Sequence, residues 1–94
     1  MKPIEQELEK YLWYCEKVRN MSKATLNQKR NVLERFTRVT NVQSVSAITN
    51  DAFNQWVAHV TERKVGGSSI NAYNAIVLAM IRHYRELGIK VPLN

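Results

Sequence analysis

The sequence contains one cysteine, three glycines and two prolines in 94 residues. A single cysteine cannot form an internal disulfide, and it excludes a zinc site built from several cysteines. No apolar run approaches the roughly 20 residues that a membrane-spanning helix needs. The N-terminal residues are too polar and acidic for a secretory signal. We therefore expect a cytoplasmic protein without a membrane segment.

The rest of the composition is that of a folded domain. Hydrophobic residues make up 45% of the chain and charged residues 23%, which separates it from disordered sequences. The length suffices for one domain with a single modest core.

The spacing of the apolar residues predicts helices. They recur at steps of three and four over residues 4–19, 23–39, 50–64 and 70–87, and no segment alternates like a strand. Ser22 and Thr49 are suited to cap the second and third helices, while Gly66-Gly67 and Gly88 are suited to end the third and fourth. The fold class that follows is all-α, a compact four-helix bundle over residues 1–88, with residues 89–94 as an extended exit.

The same spacing places individual side chains. Phe36 and Trp56 lie at the centres of apolar arcs, so we expect both in the core. Cys15 lies in the apolar stripe of the first helix and is interpreted as a small core residue. Trp13 points away from that stripe, which leaves it exposed. The apolar residues of the connector after the second helix are expected to pack back onto the core: Val42, Val45 and Ile48.

The sequence offers no constellation for catalysis. Gly66-Gly67 lacks the lysine and the spacing of a phosphate-binding P-loop. His59 and His83 are on different helices, and neither has a second ligand type at metal spacing. No nucleophile is paired with a base at a recognisable spacing. We therefore expect a chain that is not an enzyme and binds no metal or cofactor.

The positive charge is concentrated in one stretch. The net charge is +6, and residues 17–38 carry seven basic residues against Glu34 alone, whereas residues 1–16 are acidic overall. A localised basic excess is the electrostatic pattern of a protein that binds a phosphate backbone. The alternative is a solvated basic face that only aids solubility.

Two helix faces are candidates for the contact with DNA. The exposed arc of the second helix combines basic and amide side chains, which can hold phosphates and read base edges. Lys29 instead projects into the apolar arc, so its stem should pack while its ammonium reaches the edge. The fourth helix adds a capped start, where backbone N–H groups favour an anion, and a polar stripe interrupted by Leu78. The candidate DNA-binding residues are Lys23, Thr25, Asn27, Lys29, Arg30, Ser68, Ser69, Asn71, Asn74 and Arg82.

Short pieces of a known family pattern occur in the family's order along nearly the whole chain. They are Ser22-Lys23-Ala24-Thr25 followed by Leu33 and Phe36, then Ile48-Thr49, then Ser69-Ile70-Asn71 with Tyr73, and finally Gly88, Ile89 and Val91-Pro92. In these features the chain resembles the N-terminal core-binding domain of tyrosine recombinases, the SAM-like domain of phage integrases. It departs from the pattern at Lys29, where an aromatic is usual, at Leu78, where a basic residue is common, and at Val91, where Asn is usual.

The resemblance implies a role within a larger protein. In this family the domain clamps one face of the recombination site for DNA integration or excision, and a separate C-terminal domain carries the catalytic residues. Residues 89–94 would then begin the linker to that domain. The implied partners are double-stranded DNA and other protomers of the parent recombinase, with no membrane and no small-molecule substrate.

Two other classes of protein remain open on the sequence. One is a helical DNA-binding regulator with helix-turn-helix geometry, although the connector after the second helix is long for that motif. The other is a protein-interaction bundle that docks through Trp13 and the alanines of the fourth helix.

Overall fold

A computed structural model describes residues 3–63 and 67–93, and in these ranges the chain forms four α-helices, one short 3-10 helix and no strand. The α-helices are α1 (Pro3–Lys17), α2 (Lys23–Thr40), α3 (Asn50–Glu62) and α4 (Gly67–Glu86), and the 3-10 helix is Val45–Ala47. The Cα radius of gyration is 12.8 Å, close to the ~13 Å expected for one compact domain of this size. The predicted all-helical, compact architecture is confirmed.

Helix α1 ends two residues earlier than its apolar pattern predicts. Asn20 adopts a left-handed backbone conformation with φ 54°, and the Met21 N–H donates a hydrogen bond to the Cys15 carbonyl at 3.1 Å. The chain thus turns away from the helix axis directly after Lys17. Val18, which the spacing assigns to the apolar stripe, is consequently 61% exposed.

The predicted caps begin α2 and α3. The Ser22 hydroxyl accepts a hydrogen bond from the Thr25 N–H at 3.2 Å, and the Thr49 hydroxyl accepts one from the Ala52 N–H at 3.2 Å. Helix α4 begins at Gly67, three residues before the predicted start. The predicted stop of the third helix at Gly66-Gly67 is wrong in position, because α3 already ends at Glu62 and Gly67 begins α4; Gly66 lies outside the described residues.

The core forms where all four helices meet. Phe36 and Trp56 are fully buried as predicted, and their rings pack edge to face with centroids 5.7 Å apart. The three apolar connector residues are buried as well, so the segment between α2 and α3 closes one side of the core. Cys15 is buried in the same cluster, while Trp13 is 60% exposed.

The segment after Gly88 folds back onto the helices, which its sequence did not indicate. Val91 and Leu93 are buried, and the Arg85 guanidinium donates hydrogen bonds to both of their carbonyls. Gly88 permits the turn, because its φ of 83° is a conformation that other residues rarely adopt. No helix in the described ranges has the length and apolarity needed to cross a bilayer.

Candidate nucleic-acid interface

The first turn of α2 presents three predicted contact residues to solvent. Lys23, Thr25 and Asn27 are all exposed. The Ser22 cap fixes this turn twice, because its hydroxyl also donates to the Thr25 hydroxyl at 3.0 Å. The backbone of the turn is therefore ordered before any ligand arrives, and Lys23 and Asn27 extend from a rigid helix start.

Lys29 lies inside the protein instead of on the open surface. It is 8% exposed, which agrees with the expectation that its stem packs. Its Nζ donates a hydrogen bond to the Tyr11 hydroxyl at 3.3 Å and lies 5.5 Å from the centroid of the same ring. Burial raises the pKa of Tyr11 well above its ordinary value, so the hydroxyl is neutral and does not balance the lysine charge.

Arg30 is held by the acidic face of α1. Its guanidinium donates two hydrogen bonds to the Glu9 carboxylate, and Glu34 lies 3.8 Å away on the next turn of α2. The Arg30 hydrogen bond holds the pKa of Glu9 below its usual value. At neutral pH both partners are therefore charged, and the Arg30 charge is compensated within the domain.

The polar stripe of α4 is narrower than the sequence suggested. Asn74 accepts a hydrogen bond from the Trp56 indole N–H at 3.0 Å, so it supports the core. Asn71 and Arg82 are exposed and Ser69 is half-buried. Leu78, 38% exposed, interrupts the stripe as expected. The side chain of Ser68 lies outside the described residues.

One groove brings residues of α2 and α4 together. It has a volume of about 210 Å³, and both Lys29 and Arg82 line it. Against one wall the His83 ring packs on Tyr14 with centroids 4.5 Å apart. The full lining is Tyr11, Tyr14, Arg19, Met21, Lys29, Ala79, Arg82, His83 and Glu86. We call this the α2–α4 groove.

Sequence reasoning did not single out Arg19, which lines this groove. The charge tally of residues 17–38 included it, and the predicted first helix, residues 4–19, placed it in the last helical turn, whereas it follows the end of α1. The turn through Asn20 directs the chain back toward α2, and this brings Arg19 next to the site.

The opposite side of α2 has a different character. There α1 and the C-terminal half of α2 border a groove of about 440 Å³ lined by three carboxylates, those of Glu5, Glu9 and Glu34, and by one arginine, Arg38. Carboxylates repel a phosphate backbone. The basic candidate residues therefore lie on two sides of α2, with Arg30 on the acidic side and Lys29 and Arg82 in the α2–α4 groove.

No structural feature of the described ranges resembles a metal centre, since no three His, Cys, Asp or Glu side chains there come together in a way that could hold an ion.

No family model matches the chain, and no curated protein or solved structure is significantly similar to it.

Proposed function

We propose that this chain is a DNA-binding domain of the core-binding type found in tyrosine recombinases, and that it grips duplex DNA through the N-terminal half of α2 and the exposed stripe of α4. The observation that carries the proposal is that most basic side chains of residues 17–38 have no carboxylate partner. Of the seven basic side chains there, Arg30 alone lies within 4.0 Å of a carboxylate in the described part of the chain. The remaining six have no carboxylate partner there, and of these Lys29 is buried.

Each exposed residue has a role suited to its chemistry. Lys23 stands at the start of α2 and neutralises a phosphate, because an ammonium acts there as a point charge. Asn27 is one turn further along and can reach a base edge with its amide. Asn71 and Arg82 lie on one face of α4, about 16 Å apart along the helix axis at 1.5 Å per residue.

The assignment to recombinases rests on the resemblance of the sequence and implies that catalysis resides elsewhere in the parent protein. The chain alone then binds DNA without cutting it. Incubation with supercoiled plasmid should yield neither relaxed product nor a covalent protein–DNA adduct. An adduct through any of the four tyrosines would contradict this division of labour.

Chemical-shift mapping with a short duplex tests the binding face. We expect the amides that shift to cluster at residues 19–29 and 69–82, and Lys23→Gln to weaken binding. Lys10→Gln is the matched control, since it removes the same charge from the acidic helix α1, where Lys10 pairs with Glu7. Equal losses for the two variants, or no shifts at all, would argue against the proposal.

A second candidate function is docking to another protein. Trp13 is 60% exposed and borders a shallow groove whose apolar residues are Leu12 and Leu26. Exposed tryptophans are enriched at protein interfaces. Shifts confined to this groove, with a protein partner and not with duplex DNA, would favour the second function.

A further inference from the structure

We propose that the α2–α4 groove is a binding pocket for one phosphate group, with Lys29 at its floor and Arg19 and Arg82 as flanking cations. If the phosphate belongs to a DNA backbone, the pocket rests on the proposed function. If it belongs to free phosphate or a small phosphorylated molecule, the pocket stands without it. The chemistry that recognises the ligand is the same in both cases.

The lack of a counter-charge at Lys29 indicates a ligand. The residue is 8% exposed, yet within the described residues no carboxylate lies within 4.0 Å of its ammonium, whose hydrogen bond goes to the neutral Tyr11 hydroxyl. A buried charge is costly unless an opposite charge accompanies it. An ammonium has three donors, so Lys29 keeps capacity for an anion that enters the groove.

The other charged groups of the groove favour an anion as well. Arg19, Lys29 and Arg82 come from three different parts of the chain, and Glu86 is the single acidic residue in the lining. No ion pair joins Glu86 to any of the three cations in the described structure. The local charge is therefore positive, and cations approach the same small volume from several directions, which suits the tetrahedral oxygens of a phosphate.

The size and the walls of the groove fit a small anion. Its volume of about 210 Å³ holds several water molecules at about 30 Å³ each, and hence a phosphate group with part of its hydration. The His83 and Tyr14 rings, tilted by 37° to each other, form one wall, and Tyr11 packs on the same imidazole with centroids 5.1 Å apart. Among the cations of the groove, Lys29 is placed by these rings, since its Nζ lies 5.5 Å from the Tyr11 centroid.

The test compares inorganic phosphate, chloride at equal ionic strength, and a short duplex, each titrated into the whole chain and followed by amide chemical shifts. Phosphate should shift the amides around Arg19, Lys29 and Arg82, and chloride should not. Lys29→Met keeps the length of the stem and removes the charge. It should weaken phosphate binding about tenfold or more, as expected for the loss of a charge-assisted hydrogen bond.

Two further variants keep the result interpretable. Lys10→Met removes an exposed charge from α1 and should leave phosphate binding at the groove unchanged. Arg82→Gln changes an exposed residue, so it should preserve the fold while it weakens phosphate binding. Saturable phosphate shifts at the groove that Lys29→Met and Arg82→Gln diminish would support the pocket.

The duplex separates this inference from the proposed function. If the duplex binds and competes with phosphate, the ligand is a backbone phosphate. If phosphate binds at the groove and the duplex binds nowhere, the pocket stands and the DNA-binding function falls. If the duplex binds but Lys29→Met has no effect on either ligand, the pocket is wrong and the DNA-binding function survives. Phosphate shifts no larger than those of chloride would also overturn the pocket.

Discussion

Residues of one type take opposite roles in this domain according to the side of the helix on which they lie. Lys23 extends into solvent from the first turn of α2, while Lys29 is buried against Tyr11. Asn71 is exposed on α4, while Asn74 on the next turn holds the indole of Trp56. Residue type alone therefore does not identify a DNA contact, and the variants below separate support of the fold from binding.

Asn74→Ala should destabilise the protein without affecting DNA binding. The change leaves the Trp56 N–H without its acceptor, and an unsatisfied buried donor costs about 1–3 kcal/mol. Asn71→Ala is the matched control, because an exposed side chain contributes within about 0.5 kcal/mol. Urea unfolding measures both. If the two variants unfold at the same urea concentration, the hydrogen bond to Trp56 contributes nothing to stability.

Trp56→Ala and Trp13→Ala should differ strongly in the free energy of unfolding. Trp56 is fully buried, and truncation of a buried tryptophan costs about 3–5 kcal/mol, which is comparable with the whole stability of a small domain. Trp13→Ala should change stability by less than about 0.5 kcal/mol because the ring is largely exposed. Thermal unfolding followed by circular dichroism distinguishes the two, and a large loss for Trp13→Ala would contradict the assigned helix register.

Helical spacing predicted these residue positions well wherever a side chain lies inside a long periodic segment. Phe36, Trp56 and Cys15 are buried as the pattern requires. The partners of the polar residues could not be predicted, because Glu9 meets Arg30 only through the packing of α1 on α2. The packing of α3 on α4 likewise decides that Asn74 meets the Trp56 indole.

At the scale of elements, the sequence predicts where helices begin more reliably than where they end. Ser22 and Thr49 cap the helices that they were expected to cap. The end of α1 depends on the left-handed Asn20, and asparagine tolerates that conformation without requiring it. The return of Val91 and Leu93 to the core depends on Arg85, a contact that no periodicity indicates.

Substitutions at Ser22 should distinguish the effect of the helix cap on stability from the effect of local charge on DNA binding. Ser22→Ala removes the cap and should cost about 1 kcal/mol. Ser22→Asp keeps an acceptor of similar capping strength but adds a negative charge beside Lys23, so it should retain stability and weaken DNA binding. Chemical denaturation and fluorescence anisotropy with labelled duplex measure the two effects. Unchanged DNA affinity in Ser22→Asp would place the interface away from this turn.

Two arginines of α4 provide a matched pair. Arg85→Met removes the donors that hold the carbonyls of Val91 and Leu93, and should cost about 1 kcal/mol of stability, the usual net contribution of a hydrogen bond. Arg82→Met should leave stability unchanged and weaken DNA binding, because Arg82 is exposed. The opposite pattern, with Arg82→Met less stable and Arg85→Met weaker on DNA, would mean that the roles of the two residues are exchanged.

At the scale of the whole molecule, the charge is divided between two sides of α2. The acidic side compensates Arg30, and the α2–α4 groove leaves Arg19, Lys29 and Arg82 unpaired within the described structure. The net charge of +6 therefore understates how basic one side is. Composition predicted a polyanion as partner, and the packing of α1 against α2 shows that Glu9 compensates the charge of Arg30 within the domain.

This division predicts how DNA binding depends on salt. One domain alone should bind random duplex with a Kd of about 10⁻⁴–10⁻⁶ M at physiological salt, and the logarithm of affinity should fall by about 0.9 per phosphate contact for each tenfold rise in salt. The double variant Lys23→Gln, Arg82→Gln should lower the magnitude of that slope by about two contacts' worth, since both side chains are exposed. Arg30→Gln should change it little, because Glu9 already neutralises Arg30.

The control for this experiment is the double variant Lys10→Gln, Lys90→Gln, which removes the same two charges from other parts of the surface. If binding responds only to net charge, both double variants will reduce the slope equally, and no face of the protein is a specific interface. A smaller slope for the Lys23, Arg82 pair alone assigns the phosphate contacts to the start of α2 and the exposed stripe of α4. A reduction by Arg30→Gln as large as that from Lys23→Gln would contradict this division of charge, because it would mean that Arg30 contacts a phosphate despite its ion pair with Glu9.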